Sequence, residues 1–143
     1  MIGVGNGMVW EQELMDKVII EKIPYTRELP GAKRWKEERG TFVQIAYQEE
    51  MHHLALFEIR KRFSRGNHYH RKKEEIFYLF EGKIRAIFMD MDTLQRDEKI
   101  LEEGDKIRIK AHCGHIFYGL EDTLVAEYSP QVFDPEDSYK INL

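Results

Sequence analysis

The stretch RGNHYHRKKEEIFYLFEGKIRAIFM, residues 65–89, decides the fold. Its second half holds two runs rich in β-branched and aromatic residues, EIFYLF at 75–80 and KIRAIFM at 83–89, parted by Gly82. Short apolar runs of this kind, bounded by turn residues, read as strands. The EGK triplet at 81–83 predicts a hairpin between them. The first half sets His68 and His70 one residue apart. Residues two apart on a strand point the same way, so both imidazoles would face one side. Glu74 and Glu75 follow after a basic turn. Glu75 shares a strand side with Phe77 and Leu79, and Glu74 with Ile76, Tyr78 and Phe80. Apolar residues fill both sides, so parity alone leaves open which glutamate joins the histidines.

Outward from this stretch the texture is the same. Further strands are expected at 41–47, 53–60, 105–110, 115–118 and 123–128, with one short strand around Ile100 and Leu101 inside the polar stretch after Asp90. In GDKIRIK, Ile107 and Ile109 share one face, while Lys106, Arg108 and Lys110 share a face expected to meet water. Many short strands without helical periodicity predict an all-β fold, a single small antiparallel β-barrel or jelly roll over residues 31–143. Residues 1–30 read as an N-terminal extension. The glycines at 3, 5 and 7 lack the strand and spacing of a dinucleotide fingerprint and read as a frayed terminus. The acidic tail FDPEDSYKINL reads as a terminal extension.

The chain has 143 residues, 34% charged with both signs mixed, and a net charge of -4, which suits one soluble domain and not a nucleic-acid binder. The longest apolar run, Ile76 to Phe80, is far short of the ~20 residues that span a bilayer. No secretory signal pattern opens the chain. Cys113 is the only cysteine, which excludes an internal disulfide and fits a reducing cytoplasm.

Two histidines on one strand face are ligand geometry, and a divalent transition ion wants further nitrogen or oxygen donors from a second strand. A glutamate at 74 or 75 and His115, which opens a later strand, stand at distances a hairpin can return. These residues resemble the cupins, whose first motif is G-x5-H-x-H-x3-4-E-x6-G. With Glu75 as the acid, six residues precede Gly82, as the motif requires; with Glu74 there are seven. The second motif, G-x5-P-x-G-x2-H, aligns with GDKIRIKAHCGH, with Gly104 and His115 in register. Lys110 and His112 replace its proline and second glycine, Gly66 stands closer to His68 than the first motif's leading glycine, and Gly114 is expected to supply the bend before His115. The resemblance implies that His68, His70, Glu75 and His115 hold one divalent transition metal ion, Zn, Mn, Fe or Ni, in the mouth of the barrel. Glu74, Arg71, Lys72 and Lys73 are then solvated charges. His52, His53 and His112 read as surface or supporting residues, and Cys113 lacks a base partner for catalysis.

A narrower resemblance concerns function. EERGTFVQI at 37–45 followed by RGNHYH at 65–70 looks like the pattern of dTDP-4-keto-6-deoxyhexose 3,5-epimerases, and RGNHYH is similar to the C-terminal cupin of capsular-polysaccharide reductase-epimerases. This implies a sugar or sugar-nucleotide epimerase or isomerase that abstracts a proton beside a carbonyl. In the metal-free 3,5-epimerases the histidine matching His68 is the base, a role that a metal ligand cannot share. Those enzymes have a non-ligand such as Gln where this chain has His70, which favours metal here and leaves the base to Tyr128 or Glu127; without metal it is His68. Arg65 is a candidate contact for a substrate phosphate. The alternatives are an Fe- or Mn-dependent dioxygenase-type cupin and a non-catalytic cupin that binds a carbohydrate or other small molecule. The expected partners are a small-molecule substrate of nucleotide-sugar type and a second copy of the chain, as a homodimer, with neither nucleic acid nor membrane.

Overall fold

Strand β8 (Lys83–Asp90) buries Ile84, Ala86, Phe88 and Asp90 and leaves the residues between them more exposed, the period-2 pattern of a strand with one face on a core. Strand β7 (Glu75–Glu81) is buried on both faces from Glu75 to Leu79. The two differ because they lie in different layers. The computed structural model describes residues 10–143 and is all-β, with no helix among the described residues. The larger sheet runs β1 (Trp10–Met15), β2 (Val18–Lys22), β10 (Asp105–Ile109), β7, β12 (Thr123–Ser129), β5 (His53–Ile59). The smaller runs β13 (Tyr139–Lys140), β6 (Ser64–Tyr69), β11 (Cys113–Gly119), β8, β9 (Arg96–Glu102). All pairings within them are antiparallel. From β5 to β12 the chain changes sheet at nearly every connection, which makes a jelly roll of two facing layers.

The hairpin expected at 81–83 is therefore a corner. β7 pairs with β10 and β12, whereas β8 pairs with β9 and β11. Gly82 makes the corner with φ 101°, and a Cβ there would lie 2.3 Å from Thr123 Oγ1. β8 forms its hairpin with β9 instead, a seven-residue strand longer than the short one expected around Ile100 and Leu101.

Phe77, Leu79, Ile84, Phe88, Leu101, Ile107 and Phe117 form the core between the layers. A second, small core explains the apolar outer face of β7. There Tyr78 packs with Ile23 and Ala126 beneath Ala32, Val43 and Ile45. The last three come from around the hairpin of β3 (Lys33–Glu37) and β4 (Gly40–Gln44), which with the following loop covers the larger sheet. The polar face of β10 meets that loop and not water: Lys106 donates to the Ile45 carbonyl at 2.9 Å and pairs with Glu49 at 3.0 Å, and Arg108 pairs with Glu49 at 2.5 Å and with Glu74.

Residues 10–22 and the C-terminal tail are both tied in. Residues read as an extension supply β1 and β2, which widen the larger sheet alongside β10. The glycines at 3, 5 and 7 lie outside the described residues. The tail returns as β13, pairing Tyr139 with Tyr69 and Lys140 with His68.

Candidate metal centre and pocket

His68 stands on β6 opposite His115 on β11. A bulge makes this pairing: the register shifts between His115 and Ile116, so that Ile116 faces Gly66 and Asn67 is the extra residue. Gly66 has φ 115°, and a Cβ there would meet the His115 carbonyl at 2.6 Å, so the strands approach this closely only without a side chain. Asn67, at φ 62°, is held by the tail: Leu143 N–H donates to its Oδ1 at 3.0 Å and Ile141 N–H to its carbonyl at 2.9 Å. The bend expected from Gly114 falls on His112, at φ 62°. Gly114 serves close packing instead, since a Cβ there would overlap Ile141 Cδ1 at 2.1 Å.

His68, His70 and Glu75 bring ligand atoms within 4.8 Å of one another. His70 Nε2 lies 3.0 Å and His115 Nε2 3.6 Å from Glu75 Oε1, although His115 falls outside that mutual 4.8 Å set. His70 Nε2, Glu75 Oε1 and His115 Nδ1 are buried without a hydrogen-bond partner; the 3.0 Å approach between the first two lacks hydrogen-bond geometry. Buried polar atoms without partners are costly, and His70 Nε2 and Glu75 Oε1, facing each other with His115 Nε2 turned to the same oxygen, fit a cation. His70 adds a second sign. Its Nδ1–H donates to the Asp137 carbonyl at 2.5 Å, which fixes the tautomer with the Nε2 lone pair toward the cluster. Asp137 in turn accepts from Arg71 N–H at 2.9 Å and Lys72 N–H at 3.1 Å.

The protonation states of His68, His115 and Glu75 suit ligation, whereas an ion at the site has to displace a proton from His70. Burial lowers His68 to about 4, and burial likewise lowers His115, so both are neutral donors. Burial pushes Glu75 up, but His70 and Lys73 outweigh it and bring the carboxyl down to about 2. Burial pushes His70 down, and Glu75 with the Asp137 carbonyl reverses this, raising it.

The cluster lies in a pocket of about 670 Å³. Phe57, Phe77 and Phe117 form apolar wall, and Phe133, Pro135 and Ser138 bring the tail into the lining. Arg65 also lines it, with Nε donating to the Glu58 carbonyl at 2.8 Å and the guanidinium 5.1 Å from the Phe57 ring centre. Lys73, read as solvated, is 5% exposed; its Nζ lies 3.6 Å from Glu75 Oε2 and 5.2 Å from the Phe133 ring centre. Glu127 lines the pocket and His53 stands behind it, with Nε2 3.0 Å from Oε1.

Other candidates lie elsewhere. Tyr128 occupies the opposite face of β12 and donates to Glu49 at 2.8 Å. Glu74 points outward to Arg108, which answers the question parity left open. His52 pairs with exposed Glu50 at 2.8 Å. Cys113 is buried, and burial pushes its thiol up to about 12, which keeps it protonated and inert. Sequence reasoning missed Lys73, the His53 partner of Glu127 and the tail residue Asp137, because each depends on which segments the fold brings together.

The two facing antiparallel sheets, with His68, His70 and Glu75 converging in their mouth, make a cupin-like jelly roll. Residues 35–139 match the family described as the polysaccharide biosynthesis C-terminal domain, and the chain belongs to that family. Among solved structures it is similar to a dTDP-4-dehydrorhamnose 3,5-epimerase from Sulfolobus tokodaii, at 20% identity and a TM-score of 0.77 over 94% of this chain and 82% of that one. It is also similar to the Legionella pneumophila dTDP-6-deoxy-D-glucose-3,5-epimerase RmlC in complex with dTDP-4-keto-L-rhamnose, at 16% identity and 0.74 over 96% and 78%. The capsular polysaccharide assembling protein CapF of Staphylococcus aureus matches at 19% identity and 0.60 over 78% of this chain, which spans 33% of that one. No curated protein matches the chain by sequence. At these identities the likenesses establish the shared fold.

Proposed function

We propose that this protein is a metal-binding sugar or sugar-nucleotide epimerase or isomerase of polysaccharide biosynthesis, acting by proton abstraction beside a carbonyl. The observation that carries it is the set of unpartnered buried donor atoms, His70 Nε2 and Glu75 Oε1 among them, in a pocket of about 670 Å³ within a polysaccharide-biosynthesis domain. Proteins named as keto-sugar epimerases share the fold, which supports the class of substrate.

His68, His70, Glu75 and His115 are the ligands, with Glu75 offering Oε1 while Lys73 faces Oε2. A bound divalent ion supplies an electrophile for the carbonyl oxygen next to the acidic C–H bond. Arg65, on the pocket wall, meets the phosphates of a nucleotide sugar, where a guanidinium is suited to bidentate contact. The phenylalanine walls displace water and strengthen the charge interactions inside.

The test is solvent-deuterium exchange, followed by NMR, into a panel of nucleotide-linked 4-keto-6-deoxyhexoses that includes dTDP-4-keto-L-rhamnose. Deuterium uptake beside the keto group, without oxygen consumption, is expected. A panel that stays unlabelled, or turnover that consumes oxygen, rejects the epimerase reading; the latter points to the dioxygenase.

A further inference from the structure

The epimerase reading leaves the base unassigned, and the inference here rests on that reading. Four of the proton-accepting groups in the pocket, His68, His70, His115 and Glu75, are the proposed ligands, and a nitrogen or oxygen bound to a cation cannot also accept a proton. Lys73 is turned toward Glu75 Oε2 at 3.6 Å. Tyr128 is on the far side of its sheet. Glu127 is the one remaining carboxylate in the lining among the described residues.

Its placement follows from the ladder. Glu127 on β12 stands opposite Ala55 on β5 and Phe77 on β7, all three facing the interior. Phe77 is two residues beyond Glu75 on the same face of β7, so Glu127 looks into the pocket one step along the sheet from the ligand cluster. His53, on the edge strand β5, reaches back so that Nε2 sits 3.0 Å from Glu127 Oε1, and the His53 ring stacks on Phe133, with centres 5.7 Å apart. Both side chains are largely buried, at 24% and 18% exposure. A carboxylate with one oxygen held by an imidazole has its other oxygen free, and holding it removes rotamer freedom that would otherwise weaken proton transfer.

We propose that Glu127 is the proton-abstracting base and that His53 is its positioning residue. The C–H bond beside the carbonyl breaks, its proton passes to Glu127, and its electron pair forms the enolate C=C bond with the charge on the carbonyl oxygen. Water protonates the enolate from the opposite face, and Glu127 returns its proton to water at the pocket mouth.

The experiment compares metal-loaded wild type with Glu127→Gln, Glu127→Asp, His53→Ala and His53→Gln in the deuterium-exchange assay, with metal content and thermal unfolding measured on each. Glu127→Gln is expected to lose roughly 10²–10⁴-fold in exchange rate while keeping its metal. Glu127→Asp, which shortens the reach, keeps the fold and an intermediate rate. His53→Ala lowers the maximal rate without raising KM, and His53→Gln, whose amide nitrogen can take the place of Nε2, restores most of it. A wild type that exchanges beside a folded Glu127→Gln of equal rate overturns this assignment and leaves the epimerase reading standing; if Glu127→Gln does not fold, an undiminished rate in Glu127→Asp overturns it equally. A wild type that exchanges nothing removes both.

Discussion

Glu74 and Glu75 are identical side chains one residue apart, and the strand gives them opposite work. Glu75 turns inward, where the His70 imidazole and the Lys73 ammonium keep it ionised despite burial. Glu74 turns outward and shares Arg108 with Glu49. The difference predicts separable phenotypes. Glu74→Gln is expected to cost about 1 kcal/mol of stability, since the pair is partly exposed and Arg108 keeps Glu49, and to leave metal binding unchanged. Urea unfolding and metal titration check this; a loss of metal with Glu74→Gln would mean that the wrong glutamate has been assigned. The four candidate ligands were legible as residues, because HxH, an acid and a later histidine keep their spacing in the chain. Lys73 was not, because three consecutive cations look alike in sequence and only the return of the tail, with Phe133 over the ammonium, separates the buried one.

At the scale of elements, β10 shows where periodicity is sound and its usual inference fails. Ile107 and Ile109 do face the core. The opposite face is polar yet covered, because the loop after β4 lays Glu49 between Lys106, Arg108 and Tyr128. Alternation reports which side chains share a face, not what lies over it. Burial raises the Glu49 carboxyl, but hydrogen bonds from Lys106, Tyr128 and Arg108 prevail and hold it below its ordinary value of 4.5. A depressed carboxyl contributes stability that is present above 4.5 and is lost as the pH falls through its folded-state value. Glu49→Gln is therefore expected to lower stability at pH 7 by about 1–3 kcal/mol, with the gap from wild type closing as the pH falls below about 4. Denaturant unfolding at both pH values measures it, and a gap independent of pH would mean that the charge of Glu49 contributes nothing.

Across the whole molecule, the all-β class and seven of the strands follow from short β-rich runs, while the topology does not. Gly82 reads as a hairpin turn in sequence because two apolar strands flank it; only the partners of β7 and β8 show that it carries the chain from one layer to the other. The tail reads as an extension because it is acidic and short of apolar residues, yet Asp137 fixes the His70 ring and Asn67 binds the chain end. Sheet, bulge and tail thus converge on one arrangement of donors, whose proposed role is to hold an ion. The direct measurement is elemental analysis of wild type, purified without affinity tag or chelator, beside His70→Ala. About one divalent transition metal ion is expected per wild-type chain and none in the variant. A wild type that is metal-free, and remains so after exposure to Mn, Fe, Ni and Zn, would contradict that role.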